Sequence, residues 1–313
     1  KGDARSISPA TQKAIRAAAQ RLGYRPSLPA RALRSGKNQQ MRVIGLYFSA
    51  DYRSSMMNRF TNGLWACPLC QKPDISLAIV PYQVGRLSQN RELKSLTRFH
   101  GVILCNMSDP DMQYLEASRP SMPAVLYNRT LKNYPSVVVD NAQIGRTAAE
   151  VFFRHRRRHA AVLTNTVEHT HSYLDTRTRA FLKACTARGM LTRPPCLCGN
   201  LYEDGYRGAS ALLESDSIDC LFCTSDTLAY GAMRAILDRG RRIPQDIEVL
   251  SAGNGDPQQA AYAWPSLSHI LIPIEAMAQE CFRLVMEQID RRPEKPEQIC
   301  LPTRYIPRES CGG

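Results

Sequence analysis

The chain has 313 residues, with 41 Lys+Arg against 28 Asp+Glu and a formal charge of +13, which is length enough for about two domains with cores of their own. Its hydrophobic content of 43% excludes a disordered chain, and no apolar run approaches the roughly 18–20 residues of a membrane span. The charge is lopsided: Lys1, Arg5, Lys13, Arg16, Arg21, Arg25, Arg31, Arg34 and Lys37 stand against Asp3 alone, so +8 falls on the first 37 residues and +5 on the other 276. A basic end on a nearly balanced body points to an anionic partner, nucleic acid or membrane surface, met by that end only.

In chain order, Ser8-Pro9 supplies an N-cap and a first-turn proline. Ile15, Ala18, Ala19 and Leu22 then share one helical face, which Gly23 ends. Pro26 to Gly36 spells about two turns of helix between a proline start and a glycine stop, too short to be stable in isolation. From Met41 onward short β-branched runs predict strands at Val43–Phe48, Leu77–Val80, Val102–Cys105, Ala124–Leu126, Val137–Val139, Ala160–Leu163, Cys220–Cys223, Glu248–Ser251 and His269–Ile272. Helical patterns lie between them at 56–66, 88–99, 141–155, 175–188, 204–214, 226–239 and 274–290. Strand-helix-strand alternation with near-continuous apolar strands predicts parallel sheets covered on both faces, two sheets rather than one. Ligands of such sheets bind beyond the carboxyl ends of the strands.

The chain carries no G-x-G-x-x-G after a strand, no G-x-x-x-x-G-K-[ST], no H-E-x-x-H and no G-x-S-x-G, which disfavours an ordinary nucleotide-dependent enzyme or serine hydrolase. Eleven cysteines, an odd number with several inside apolar runs, read as reduced and mostly buried thiols rather than a secreted disulfide framework. Cys67-Pro68-Leu69-Cys70 has C-x-x-C spacing and combines on paper with Cys196/Cys198 or Cys220/Cys223 into a zinc site, but ligand pairs so far apart in sequence favour packing. His169 and His171 read as solvated or substrate-binding before they read as a ligand pair. Arg154 to His159 reads as cations complementing the end of a helix. The missing signal-peptide stretch predicts a cytoplasmic protein.

Ser8-Pro9-Ala10-Thr11, Leu22-Gly23-Tyr24-Arg25-Pro26 and Ala30-Arg31-Ala32-Leu33-Arg34-Ser35-Gly36 together resemble the end of the DNA-binding headpiece and the hinge helix of the lactose-repressor/galactose-repressor (LacI/GalR) family of bacterial transcription regulators. The resemblance continues in the family's order through Gly101 to Leu104, Val137 to Asn141, Arg177 to Phe181, Ser225 to Gly231, Ile243 to Ile247 and Pro265-Ser266-Leu267, over about 300 residues. It implies an α/β, periplasmic-binding-protein-like core of two parallel-sheet subdomains joined by three crossovers, preceded by a partial all-α headpiece and hinge helix. The expected boundaries are 1–39 for headpiece and hinge, 40–139 plus 270–292 for the N-terminal subdomain, and 140–269 plus 293–313 for the C-terminal one. About 25 residues of the usual headpiece, including the recognition helix, are expected to precede Lys1.

The resemblance also implies a homodimer on a pseudo-palindromic operator, no enzymatic activity, no cofactor and no metal. Leu33 matches the hinge leucine that wedges into the minor groove, with Arg31 and Arg34 near phosphates; a linker leucine packed on the body is the alternative. The effector cleft is expected to be lined by Ser49, Asp51, Tyr52, Asn106 and Asn128 from one subdomain and by Tyr173, Arg177, Leu201, Ser225, Asp226, Gly253 and Asn254 from the other. Arg177 begins Arg177-Thr178-Arg179-Ala180-Phe181 where the family has R-x-x-G-F, and a guanidinium fork there orients hydroxyls or carboxylates. The family often has aspartate where this chain has Asn128 and commonly where it has Gly253. The pocket is therefore expected to be less negative, and its effector a sugar acid or sugar phosphate rather than a neutral sugar. A transport-type binding protein on the same core, or an enzyme on a two-domain scaffold, are the competing classes.

Overall fold

The computed structural model describes residues 41–49, 54–95, 98–165, 173–215, 218–291 and 293–312. The headpiece and hinge expected over 1–39, with Arg31, Leu33 and Arg34, lie outside the described residues, as do Asp51, Tyr52, His169 and His171. The first half of the chain runs β1 (Arg42–Ser49), α1 (Ser54–Trp65), β2 (Ile75–Tyr82), β3 (Gly101–Leu104), α2 (Asp109–Ala117), β4 (Ala124–Tyr127), β5 (Ser136–Val139), α3 (Asn141–Arg154) and β6 (His159–Asn165). It continues with α4 (Tyr173–Ala187), β7 (Leu191–Thr192), β8 (Cys196–Cys198), α5 (Tyr202–Ser215), β9 (Cys220–Cys223) and α6 (Asp226–Asp238). The last part is β10 (Glu248–Gly253), α7 (Pro257–Tyr262), β11 (Ser268–Leu271), α8 (Ile274–Asp290), β12 (Gln298–Leu301) and β13 (Arg304–Ile306).

Two sheets result. The first has the order β12-β5-β4-β3-β1-β2, with every neighbour parallel. The second has the order β13-β11-β10-β9-β6-β7, with β8 also on β6; β13 alone is antiparallel to its neighbour. Both faces are covered, which is why the strands read as unbroken apolar runs. In β1, Ile44, Leu46 and Phe48 pack with Met56, Phe60 and Leu64 of α1 and Phe282 of α8, whereas Tyr47 points the other way, to Val102, Leu104 and Leu126. In the second lobe Phe152 of α3 meets Phe181 of α4 edge-on at 6.2 Å, and Phe181 meets Phe222 of β9 at 5.0 Å.

The chain passes between the lobes after β5, after β11 and after β12. Two of the expected boundaries shift. Residues 270 and 271 belong to β11 and so to the second sheet, and Gln298–Leu301 pair in parallel with Ser136–Val139 at the edge of the first. The last crossing is therefore at 302–303 instead of 292–293. A half-exposed edge strand carries a weak hydrophobic signal, and β12 alternates exposed and half-buried residues along its four positions.

The helix expected at 88–99 is replaced by two 3-10 turns, Leu87–Gln89 and Arg91–Lys94, on either side of an extended Asn90. Leu87 and Leu93 are both fully buried; six residues apart on an α-helix they would point about 120° away from each other, and the break lets both turn inward. The helix α2 was not expected, although Ser108 and Asp111 form a capping box with Pro110 in the first turn. The short α7, N-capped by Asp256, was also unexpected.

Close contact between α3 and α4 sets the site described next. A Cβ on Gly145 would overlap the Arg177 carbonyl oxygen and lie 2.7 Å from Phe181 N. Gly145→Ala should therefore push α4, and Arg177 with it, away from α3 and Asn141. The expected cost is about 1–3 kcal/mol in urea unfolding, as for other overpacked sites; an unchanged urea midpoint would contradict this.

Candidate ligand-binding cleft

The carboxyl ends of the strands of both lobes face one gap. Asn106, one residue after Cys105, has φ +62° and Asn128, directly after β4, has φ +53°. Asparagine tolerates this left-handed region better than other side-chain-bearing residues. Met56, Asn106, Tyr127, Asn128 and Arg129 from the first lobe line the gap together with Arg177 and Asn254 from the second, and Ile272 and Ile274 of the second crossover close it. The Asn106 Oδ1 atom is buried and has no hydrogen-bond partner, an acceptor open to a donor on a ligand.

A chain of hydrogen bonds spans the two lobes beside the gap. Arg177 at the start of α4 is 1% exposed, not a surface arginine; its Nε donates to Asn141 Oδ1 at 3.0 Å and a terminal nitrogen donates to Thr224 O at 3.3 Å. Since a guanidinium only donates, the Asn141 oxygen must face it. The Asn141 amide nitrogen then donates to Asn128 Oδ1 at 3.2 Å and to Val139 O at 3.2 Å. Asn141, the first residue of α3, thus couples Asn128 in one lobe to Arg177 in the other. Arg129 is held from behind, with Nε donating to Met107 O and a terminal nitrogen to Asn128 O, both at 2.9 Å. Among the described residues the lining carries two guanidiniums and no carboxylate.

Of the twelve positions expected to line the cleft, Asn106, Asn128, Arg177 and Asn254 do so. Asp51 and Tyr52 are outside the described residues, and Tyr173 opens α4 with its side chain outside them. Ser49 ends β1, buried, and does not line the gap. Leu201 is 65% exposed and its N–H donates to Asp204. Ser225 and Asp226 are buried and not among the residues lining the gap; the Ser225 hydroxyl accepts from Leu228 N as the cap of α6. Asp226 accepts from the Ser251 hydroxyl and, at 2.7 Å, from Gly255 N, which fixes the turn carrying Asn254. Gly253 offers its carbonyl to Arg59 at 3.3 Å.

Arg59, which no motif marks, is the main tie between the lobes. It lies on the buried stripe of α1 with Met56 and Phe60 and is 5% exposed. A cation within an apolar helical stripe was the available signal. Its Nε and one terminal nitrogen donate to the two Glu275 oxygens at 2.6 and 2.7 Å. The remaining bonds go to Gly255 O at 3.0 Å, Gly253 O at 3.3 Å and Ile272 O at 3.0 Å. Arg59→Met should cost about 3 kcal/mol or more in urea unfolding, because a carboxylate and three carbonyls lose a buried partner together. Arg59→Lys should recover only part of that, since an ammonium does not reproduce the planar fork; equal stability of the two variants would refute this role.

Gly253 stands where a carboxylate is common in the resembling family, and a Cβ there would lie 2.9 Å from His269 Cδ2 and 3.1 Å from Ile270 O. The His269 ring takes up that space. Burial, then the neighbouring Arg308 and Arg59 charges, push its pKa down to about 4, so the ring is neutral at pH 7. The unfolded ring protonates near 6.5 and the folded one near 4, so stability is full above 6.5 and is lost as pH falls toward 4. The loss should reach about 3 kcal/mol, and urea midpoints measured against pH should show a flatter slope in His269→Gln than in the parent.

Cys196 and Cys198 pack beside Cys223, but the Cys67/Cys70 pair is not brought to them. Cys67 and Cys70, both buried, follow α1 in the first lobe, whereas Cys220 and Cys223 are buried in the second sheet; burial pushes the Cys70 thiol up. The basic run after α3 is engaged structurally: Arg154 pairs with Glu150 at 2.7 Å, Arg157 donates to Pro244 O at 2.6 Å and Arg158 lies over the Phe153 ring. Among the described residues no helix is long and apolar enough to cross a membrane.

Comparison with known proteins agrees with this fold. Residues 149–311 match the family described as a periplasmic binding protein-like domain. The HTH-type transcriptional repressor PurR of Pasteurella multocida is 24% identical over 314 residues, spanning 98% of this chain and 91% of the relative. A LacI family transcription regulator from Clostridium acetobutylicum superposes with a TM-score of 0.80 at 29% identity, over 85% of this chain and 99% of the other. The transcriptional regulator CelR in complex with cellobiose shares the fold, with a TM-score of 0.74 at 23% identity over 98% and 92% of the two chains. The chain belongs to the periplasmic-binding-protein-like domain family, in the LacI/GalR group of transcription regulators.

Proposed function

We propose that this chain is a cytoplasmic, homodimeric transcriptional repressor without enzymatic activity, whose affinity for operator DNA is set by a small anionic, sugar-like effector in the cleft. The observation that carries the effector class is the lining: two guanidiniums, Arg129 and Arg177, with no carboxylate among the described residues, beside the unsatisfied Asn106 oxygen. A sugar acid or sugar phosphate supplies both parts, an anion for the guanidiniums and a hydroxyl for Asn106. The basic segment before residue 40, with Arg31, Leu33 and Arg34, is assigned to DNA through phosphate contacts and a minor-groove wedge.

Coupling follows from the interlobe bonds. An effector that bridges Asn106 in one lobe and Asn254 in the other binds one spacing of the lobes better than another, and it shifts the population toward that spacing. In a two-fold dimer the spacing of the first lobes sets the separation of the two hinge segments and hence operator affinity. A neutral sugar is the second reading, favoured by the three amides Asn106, Asn128 and Asn254 in the lining and by the cellobiose held by the CelR neighbour.

Calorimetric titration with gluconate-like acids, sugar phosphates and their neutral parent sugars separates the two. The anionic set should bind, and Arg129→Gln should weaken it by about tenfold or more, the worth of one charge-assisted contact. Tight binding of the neutral set alone overturns the anionic assignment. Full-length dimer that shows no salt-sensitive binding to its own promoter region overturns the regulatory one.

A further inference from the structure

Three side chains that the cleft does not use meet at the amino end of β10, at the far end of that strand from Gly253. Glu248 opens β10, His155 follows α3, and Cys311 lies in the 3-10 turn Glu309–Cys311. His155 Nδ1 is 3.0 Å from both Glu248 oxygens; Cys311 Sγ is 3.4 Å from Glu248 Oε2 and 3.9 Å from His155 Nδ1. The three ligand atoms lie within 4.8 Å of one another. Glu248 is 2% and Cys311 0% exposed, while the His155 side chain is 31% exposed.

A carboxylate so deeply buried calls for a cation. Its nearest nitrogen is His155 Nδ1 at 3.0 Å, which is a cation only when the ring is protonated; the permanent cation, Arg157, approaches Glu248 Oε1 only to 3.4 Å and spends a shorter bond, 2.6 Å, on Pro244 O. We propose that His155, Glu248 and Cys311 form a site for a divalent transition metal of zinc type, separate from the effector cleft. Imidazole nitrogen, carboxylate oxygen and thiolate sulfur are the donor set this borderline-soft ion takes. Tetrahedral zinc, with bonds of about 2.0–2.3 Å, holds neighbouring ligand atoms about 3.3–3.7 Å apart, and the three observed separations straddle that range. The ion enters from the part-exposed His155 side. On binding, the Cys311 thiol gives its proton to solvent. The thiolate and the carboxylate Oε2 balance the two positive charges, and Oε1 stays with Arg157.

Cys311 is delivered with fixed geometry. The adjacent Ser310 donates its hydroxyl to Val249 O at 2.7 Å and its N–H to Ser266 O at 2.9 Å, and Tyr305 donates to Cys311 O at 3.4 Å. A metal here pins the end of α3, the start of β10 and the 309–311 turn to one point, and as a native-state ligand it raises apparent stability.

Titration of the chain with Co2+ tests the site. One equivalent should produce the visible bands of tetrahedral cobalt and a thiolate-to-cobalt charge-transfer band, both displaced by Zn2+. Cys311→Ser should remove the charge-transfer band, and the double variant Cys196→Ser/Cys198→Ser should keep it. No band in the parent, or a band that survives in Cys311→Ser, overturns the site, as does one lost in the 196/198 variant. Thermal unfolding gives an independent arm through His155→Gln, a part-exposed position: Zn2+ should raise the Tm of the parent and not of the variant. An equal rise in both, or none in the parent, overturns the proposal.

Discussion

The Arg59 guanidinium has five N–H bonds, and each has an acceptor: two oxygens of Glu275 and the carbonyls of Gly253, Gly255 and Ile272. Those acceptors come from three places, the Gly253–Gly255 turn of the second lobe, the crossover strand end and the first turn of α8. One side chain on α1 therefore decides how close the lobes stand. The acceptors also divide by the lobe they belong to. Glu275 is in the first turn of α8, which packs on α1, so its two bonds stay within the first lobe. Gly253, Gly255 and Ile272, whose own N–H donates to Gly253 O at 3.2 Å, lie at the ends of the second sheet's strands. The bonds to these three carbonyls join the lobes through a buried cation.

The cleft itself pairs that tie with a second link, the Asn128–Asn141–Arg177 chain. Its members carry amide and guanidinium groups, the kinds of group that also hydrogen-bond ligand oxygens. The neutral, buried His269 under the Gly253 turn fits the same logic. With a histidine ring in place of side-chain space at 253, the second lobe presents backbone there rather than a carboxylate, and the charge of the lining is left to Arg129 and Arg177.

Much of the architecture was legible because doubly covered parallel strands leave an unmistakable trace. Runs such as Cys220-Leu221-Phe222-Cys223 cannot be half-exposed strands, and all nine predicted strands lie within or overlap strands of the two sheets. What was illegible is physically of one kind: elements whose burial is partial or whose role lies in a single tertiary contact. β12 is half-buried at alternate positions, and the 88–99 segment reads as helix until Leu87 and Leu93 are required to point the same way. In the cleft, Asn106 and Asn128, which follow strand ends, came from the family resemblance carried onto those positions. For Asp226 the sequence does not reveal the bond its carboxylate makes to the Gly255 N–H, which lies far from it along the chain. Arg59 and Asn141 act across the lobes, and nothing within their own segments says where the other lobe will be.

The crossing of the chain at 302–303 has a consequence for synthesis. Residues 141–271 supply every strand of the second sheet except β13, so that lobe has most of its core as one continuous stretch. The first lobe, although it begins earlier in the chain, lacks α8, which covers β3, β4 and β5, and its edge strand β12 until residue 301 has been made. On a ribosome, where chains emerge amino end first, the later lobe closes before the earlier one. Gly253 and Gly255, the part of the Arg59 acceptor surface that lies in that lobe, are therefore in place before α1 has the rest of its own lobe to pack against.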